Sequence, residues 1–161
     1  MNQDKYIEIN ISNQTLSLVE GNDVIKQYTI STAKNGPGEQ VDSGCTPRGK
    51  HIISQKIGAA CEVNTVFVSR EPTGEIYQPE LRQQFPDRDW ILTRILWLSG
   101  CEAGKNKGGN VDSYNRYIYI HGGPDDVAMG IPGSRGCVRM RNDDIIELFE
   151  LVGPETDVNI F

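Results

Sequence analysis

At 161 residues, with 37% hydrophobic and 24% charged side chains, the chain is sized for one domain built on one substantial core. Its net charge of −6 disfavours nonspecific attraction to nucleic acid or to an anionic membrane, and no basic stripe interleaved with aromatics argues otherwise. No stretch approaches the ~18 apolar residues of a membrane span. The opening Met1-Asn2-Gln3-Asp4-Lys5-Tyr6 has neither an apolar core nor a cleavage signal, so the expectation is a cytoplasmic protein without a membrane anchor. It would be periplasmic if an export segment had been trimmed. Cys45, Cys61, Cys101 and Cys137 are widely spaced with no Cys-x-x-Cys pair, and there are only two histidines. A structural zinc is therefore not expected, no cofactor is implied, and free thiols suit a reducing compartment.

Along the chain, residues 6–12, 15–20 and 24–30 alternate apolar and polar side chains at a strand period, with Gly21-Asn22-Asp23 as a hairpin turn. A Gly- and Pro-rich loop from Ala33 to Pro47 is too long for a simple hairpin connection. Residues 51–54, 63–69, 91–98 and 117–121 read as further strands, while 71–89 and 101–115 read as loops able to line or cover a cleft. The clearest helix is Asp143–Val152, with Asn142 as N-cap, acidic residues in the first turn and Gly153-Pro154 as the stop. Its face of Ile145, Ile146, Leu148, Phe149 and Val152 reads as core packing. Residues 157–161 make a closing strand. The periodicity gives only a mostly-strand chain; the expectation is one mainly β domain over residues 1–161, a sandwich- or barrel-like packing of sheets with one main helix near the site.

The most informative stretch is His121 to Arg139, HGGPDDVAMGIPGSRGCVR. A histidine ends an apolar strand-like run, and a tight Ser134-Arg135-Gly136-Cys137 turn follows. Glycine before a cysteine lets the backbone approach a reacting carbonyl, and a histidine across a cleft can take the thiol proton or hold a thiolate as an ion pair. The plainer alternative is a buried cysteine acting as a small hydrophobe.

The residues His121-Gly122, Met129-Gly130-Ile131-Pro132 and Ser134-Arg135-Gly136-Cys137-Val138-Arg139 resemble the catalytic signature of the L,D-transpeptidase (YkuD/ErfK) family. The likeness extends to a first hairpin at residues 7–10 and 14–18, to Thr29-Ile30-Ser31-Thr32 with Ala33 in place of the usual glycine, and to the turn Thr46-Pro47-Arg48-Gly49. Residues 90–100 and Val111-Asp112-Ser113 before Arg116 are also similar. The resemblance implies a β-sandwich of the L,D-transpeptidase type, with Cys137 as nucleophile and His121 as base, oriented by a backbone carbonyl. The N–H groups of Gly136 and Cys137 are candidate oxyanion donors.

Ser134 would shape the turn or hydrogen-bond His121, Arg139 would bind a carboxylate or stabilise the turn, and Gly122 would admit substrate backbone. Tyr119 would wall the pocket or sit in the core. One departure stands out: Arg135 occupies the place of the family's usual histidine and, being always protonated, cannot act as a base. It could instead lower the Cys137 pKa or grip a substrate carboxylate.

The implied partner is the peptidoglycan stem tetrapeptide, free or as a muropeptide, losing its terminal D-alanine. Water as acceptor would make an L,D-carboxypeptidase of peptidoglycan recycling, the expectation favoured here. An amine would make a cell-wall transpeptidase forming 3-3 cross-links, and loss of the family histidine leaves a noncatalytic peptidoglycan-binding module as a further alternative. The oligomeric state is not legible.

Overall fold

The computed structural model describes residues 4–161. Ten strands, two α-helices and a single 3-10 turn (Gly109–Val111) are present among them. The strands are β1 (Lys5–Asn10), β2 (Thr15–Glu20), β3 (Asp23–Ser31), β4 (Gly49–Ile57), β5 (Thr65–Val68), β6 (Glu71–Ile76), β7 (Ile91–Gly100), β8 (Tyr119–Gly122), β9 (Val138–Met140) and β10 (Asp157–Ile160). The helices are α1 (Pro79–Gln84) and α2 (Asn142–Leu151). The mainly β expectation holds.

The strands belong to one hydrogen-bonded sheet in the order β4-β10-β1-β2-β3-β9-β8-β7-β5-β6, and β4 also pairs with β7. This single ladder differs from the separate sheets that a sandwich implies. The long β7 explains it: its Ile91–Leu92 end pairs with β5, while residues 95–100 pair with β4, and β8 lies along residues 92–97. One ten-residue strand therefore closes the ladder onto β4 while also carrying the β5–β6 hairpin.

Alternation along the strands sorts side chains into two sets, since successive residues point to opposite faces. Ile7, Ile9, Leu16, Leu18, Ile30, Leu96, Leu98, Ile120, Val138 and Met140 form the main apolar cluster, joined by Ile145, Leu148 and Phe149 of α2. Each such side chain contributes roughly 1.5–3 kcal/mol on burial. On the opposite face of β7, β8 and β9 lies a smaller cluster of Phe67, Ile95, Trp97, Tyr119 and Cys137. The alternation Ile95/Leu96/Trp97/Leu98 on β7 and Tyr119/Ile120 on β8 thus separates the core from a second face.

Several expectations need correction. The stretch 71–89, read as loop, contains β6 and α1, and β9 was not foreseen as a strand. A Pro-Thr-Gly sequence masks β6, which pairs with β5 alone and so forms an edge where proline is tolerated. Tyr117 stands outside β8, with φ +59 in a turn leading into it. Asn142 is not the N-cap of α2; Arg141 holds that position and makes no side-chain cap bond. The Asn142 side chain is spent elsewhere: its Oδ1 accepts from Thr93 Oγ1 at 2.6 Å, and its Nδ2 donates to Asn64 and Asp125. Of the expected helix face, Ile145, Leu148, Phe149 and Val152 are buried and Ile146 only partly.

Candidate active site

Cys137 and His121 are brought onto one face by two adjacent parallel strands. In the β8–β9 register Ile120 pairs with Val138 and His121 with Arg139. Since paired residues share a face, Tyr119, His121, Cys137 and Arg139 all project away from the main core. The Cys137 thiol is held between two backbone groups: the Tyr119 N–H donates to Sγ at 3.3 Å, and Sγ–H donates to the Tyr117 carbonyl at 3.3 Å. Cys137 is 9% exposed, and burial pushes its thiol up to about 12, against the pull of the Tyr119 amide. Asp89 adds to the rise, while Arg139 and Arg116 oppose it.

His121 is 1% exposed, and burial lowers its imidazole below the ordinary range, opposed by Asp89 and by the Gly122 carbonyl. His121 Nδ1 lies 2.6 Å from Gly122 O. A carbonyl can only accept, so Nδ1 carries the proton and Nε2 keeps its lone pair. A backbone carbonyl thus orients the ring, as the resemblance implied. Burial favours the neutral form of both side chains, so the resting pair is thiol and imidazole, suited to base catalysis when substrate arrives.

The turn that carries Cys137 is tied down by residues distant in sequence. Ser134 Oγ donates to Cys137 O at 2.5 Å and accepts the Gly136 N–H at 3.2 Å, so Ser134 shapes the turn and makes no bond to His121. The Gly136 N–H is therefore engaged in the resting structure, which leaves Cys137 N–H as the better oxyanion candidate of the two. Gly136 has φ +134, and a Cβ there would come within 3.3 Å of Cys45 O. That conformation and that contact call for glycine.

Thr46, first residue of the Thr-Pro-x-Gly motif, is fully buried. Its hydroxyl donates to Gly136 O and accepts the Ala33 N–H, both at 2.9 Å. The motif is the clamp of the cysteine turn. The far side of the turn follows the end of β3, where Gly133 and Ser134 N–H both donate to Thr32 O.

The remaining expected site residues divide. Tyr119 lines a cleft of about 650 Å³ that also exposes Cys137, Arg135 and Asp89. Arg135 is exposed and donates to Asp87 O at 2.7 Å, bridging the cysteine turn to the loop before β7. The charges that weigh most on Cys137 are those of Asp89, Arg139 and Arg116. Gly122 does not line the cleft. A Cβ there would meet Asn142 Oδ1 at 2.5 Å and Leu92 O at 2.7 Å, so core packing, not substrate approach, requires this glycine. Arg139 is mostly buried, with Nη2 4.0 Å from Asp89 Oδ1 and its Nε without a partner. It is placed beneath the cleft, facing His121 and Asp89 rather than solvent.

Sequence reasoning missed two residues that line the cleft, Asp89 and Arg70, and a third, Trp97, that packs against its Tyr119 wall. Asp89 lay in a stretch read as loop. Trp97 stacks on Tyr114 with centroids 4.0 Å apart and packs edge-on to Tyr119. Arg70, at the β5–β6 turn, stands over Trp97 and Tyr117 and donates to Tyr119 Oη at 3.1 Å. No motif marks any of them; only the alternation of Ile95 and Trp97 against Leu96 and Leu98 hinted at a second face. Arg116, by contrast, is occupied structurally, donating to the carbonyls of Gly38, Glu39 and Cys45.

Comparison with known proteins agrees with this architecture. The model of the YkuD family, an L,D-transpeptidase catalytic domain, matches residues 4–160. The YkuD protein of Bacillus subtilis is 25% identical over 160 residues, 96% of this chain and 65% of its own length. The YcfS protein of Escherichia coli is 44% identical over 48 residues, 30% of this chain and 15% of its own length. Both carry L,D-transpeptidase in their names. Among solved structures, Bd1075 of Bdellovibrio bacteriovorus aligns with a TM-score of 0.61 and 23% identity, over 98% of this chain and 48% of that one. An L,D-transpeptidase from Mycobacterium smegmatis aligns at 0.59 and 17%, over 98% and 58%. The chain spans less than two thirds of the length of each of these relatives. With the family model matching residues 4–160, the chain belongs to the YkuD family of L,D-transpeptidase catalytic domains.

Proposed function

We propose that the protein is a cysteine acyl-transfer enzyme acting on peptidoglycan stem tetrapeptides. The observation that carries this reading is the placement of Cys137 and His121 on one face of the parallel β8–β9 pair, with Cys137 opening onto the cleft. His121 Nε2 accepts the thiol proton as Sγ attacks the carbonyl of the third stem residue. The same proton passes to the nitrogen of the departing D-alanine, leaving a thioester on Cys137. A second nucleophile, deprotonated by His121, attacks the thioester and the thiol is restored. In this reading Cys137 N–H donates to the oxyanion, a contact worth roughly 3 kcal/mol. Retention of both reacting residues speaks against a purely binding module.

We propose water as the natural acceptor, making the enzyme an L,D-carboxypeptidase acting in the cytoplasm on recovered stem peptides. The four unpaired cysteines support a reducing compartment. The transpeptidase reading has its own support in a second cavity of about 560 Å³ across Arg70 from the first, which offers room for an amine.

The test is direct. Disaccharide-tetrapeptide incubated with the protein should give mainly the tripeptide, lighter by one D-alanine, and Cys137→Ala should abolish this while alanine at Cys45, Cys61 or Cys101 should not. Abundant 3-3 dimers would promote the transpeptidase, and turnover by Cys137→Ala would remove the nucleophile. One related structure is described as a complex with imipenem, so adduct formation on Cys137, read as a mass increase, offers a second probe of thiol reactivity.

A further inference from the structure

Arg70 is the one basic wall residue whose side chain is fixed in place yet still has donors to give. Its guanidinium is held 4.9 Å from the Trp97 ring and 4.7 Å from the Tyr117 ring, and Nη1 donates to Tyr119 Oη. Among the described residues Nε and Nη2, one edge of the planar fork, have no hydrogen-bond partner, and no carboxylate lies within ion-pair distance. The residue also costs the backbone something to place: Ser69 and Arg70 adopt φ +50 and +67, a turn that side-chain-bearing residues seldom make.

Its surroundings are aromatic, and the Trp97 and Tyr117 rings hold the plane of the guanidinium in one orientation. The other cleft cations are less suited. Arg116 is consumed by backbone carbonyls, and Arg135 is exposed with a single bond to Asp87 O. The chain as a whole carries −6, so an unpaired cation lining the cleft runs against its general charge.

We propose that Arg70 is a specificity residue that binds a substrate carboxylate through its free guanidinium edge. This rests on the stem-peptide reading and deepens it by saying which part of the peptide is read. Tyr119 sets the spacing: its N–H donates to Cys137 Sγ and its hydroxyl accepts from Arg70 Nη1, so the length of a tyrosine lies between the two hydrogen bonds. The carboxylate of the departing D-alanine is nearer than that to the carbonyl under attack. The geometry points instead to a carboxylate on the acyl part, either the α-carboxyl of a γ-linked second residue or the side-chain carboxyl of a diamino-dicarboxylic third residue. Both present the same chemistry, and a bidentate pair with a planar guanidinium would fit either.

Binding is measured by calorimetry on the Cys137→Ala protein, which cannot turn over, with and without Arg70→Ala or Arg70→Lys. The ligands are the tetrapeptide with all carboxyls free and three forms amidated singly at the second residue, the third-residue side chain or the D-alanine. One acyl-part amidation should weaken binding about ten- to hundredfold to the Arg70 protein, the range of a lost charge-assisted bond. The same amidation should change affinity less than about twofold in Arg70→Ala. Arg70→Lys, which keeps the charge but not the stacked fork, should recover part of the discrimination.

The proposal is overturned if Arg70→Ala weakens all four ligands equally, weakens none, or loses only discrimination at the D-alanine carboxyl. D-alanine release by the protein with Cys137 intact is scored separately. Release without Arg70-dependent discrimination removes this proposal and leaves the function. Discrimination without release does the reverse.

Discussion

Thr46→Val should loosen the cysteine turn from a position that touches no substrate. Valine matches threonine in shape but has no hydroxyl, so the change deletes two bonds at a fully buried site: Oγ1 to Gly136 O and Ala33 N–H to Oγ1, both 2.9 Å. The Ala33 N–H and the Gly136 carbonyl are then stranded without water. Each unpaired buried group costs about 1–3 kcal/mol, so with partial relaxation the loss should be about 2–4 kcal/mol. For a domain of this size that is a fall in Tm of roughly 5–15 °C.

Function should fall further than stability accounts for. At a temperature where the variant is fully folded, kcat for D-alanine release should drop, because Gly136 sits directly before Cys137 and loses its anchor. Thr46→Ser, which restores the hydroxyl, should recover most of both. The assays are urea denaturation followed by circular dichroism and product release by mass. A Thr46→Val protein within 0.5 kcal/mol of the parent, or one as impaired as Thr46→Ser, would refute the clamp.

The buried His51 gives a second test. Nδ1 lies 3.0 Å from Gly49 O and Nε2 2.8 Å from Ser113 Oγ, and burial lowers its pKa to about 4, against an ordinary 6.5. The folded protein prefers the neutral ring, so its stabilisation is complete above pH 6.5 and is lost as pH falls from 6.5 toward 4, by about 3 kcal/mol. Stability curves of the parent and His51→Gln should therefore converge over that window; parallel curves would contradict the assignment. Third, alkylation of Cys137 by iodoacetamide in the free protein should keep rising with pH beyond 9, because its thiol is pushed up to about 12. A plateau reached below pH 7 would instead mean a preformed thiolate–imidazolium pair.

How much of this was legible in the chain varies with the range of the interaction. The pattern of residues 15–20 and the hairpin turn at Gly21 give β2 to the residue, because a strand buried on one face writes its burial into every second position. The face of α2 is readable for the same reason at a different period. Residue types alone leave Cys137 open between a nucleophile and a small buried hydrophobe, and it is the resemblance of the His121-Gly122 and Ser134–Arg139 motifs to the family signature that singles out Cys137 and His121. Ser134, foreseen as a turn residue, serves that purpose through bonds no farther than three positions away.

What only the tertiary structure decided involves partners far apart along the chain. Asn142 resembles an N-cap until Thr93, Asn64 and Asp125 claim its side chain. Gly122 resembles a substrate-facing glycine until Asn142 and Leu92 fill the space beside it. Arg70 carries no signal at all, since its meaning comes from Trp97, Tyr117 and Tyr119 on other elements. The closure of the ladder through β4 and β7 is of the same kind. A sequence records the facing and turning of each segment, because those depend on neighbouring residues. Which segment meets which depends on side chains packing together across the whole chain, and that is settled only when the fold forms.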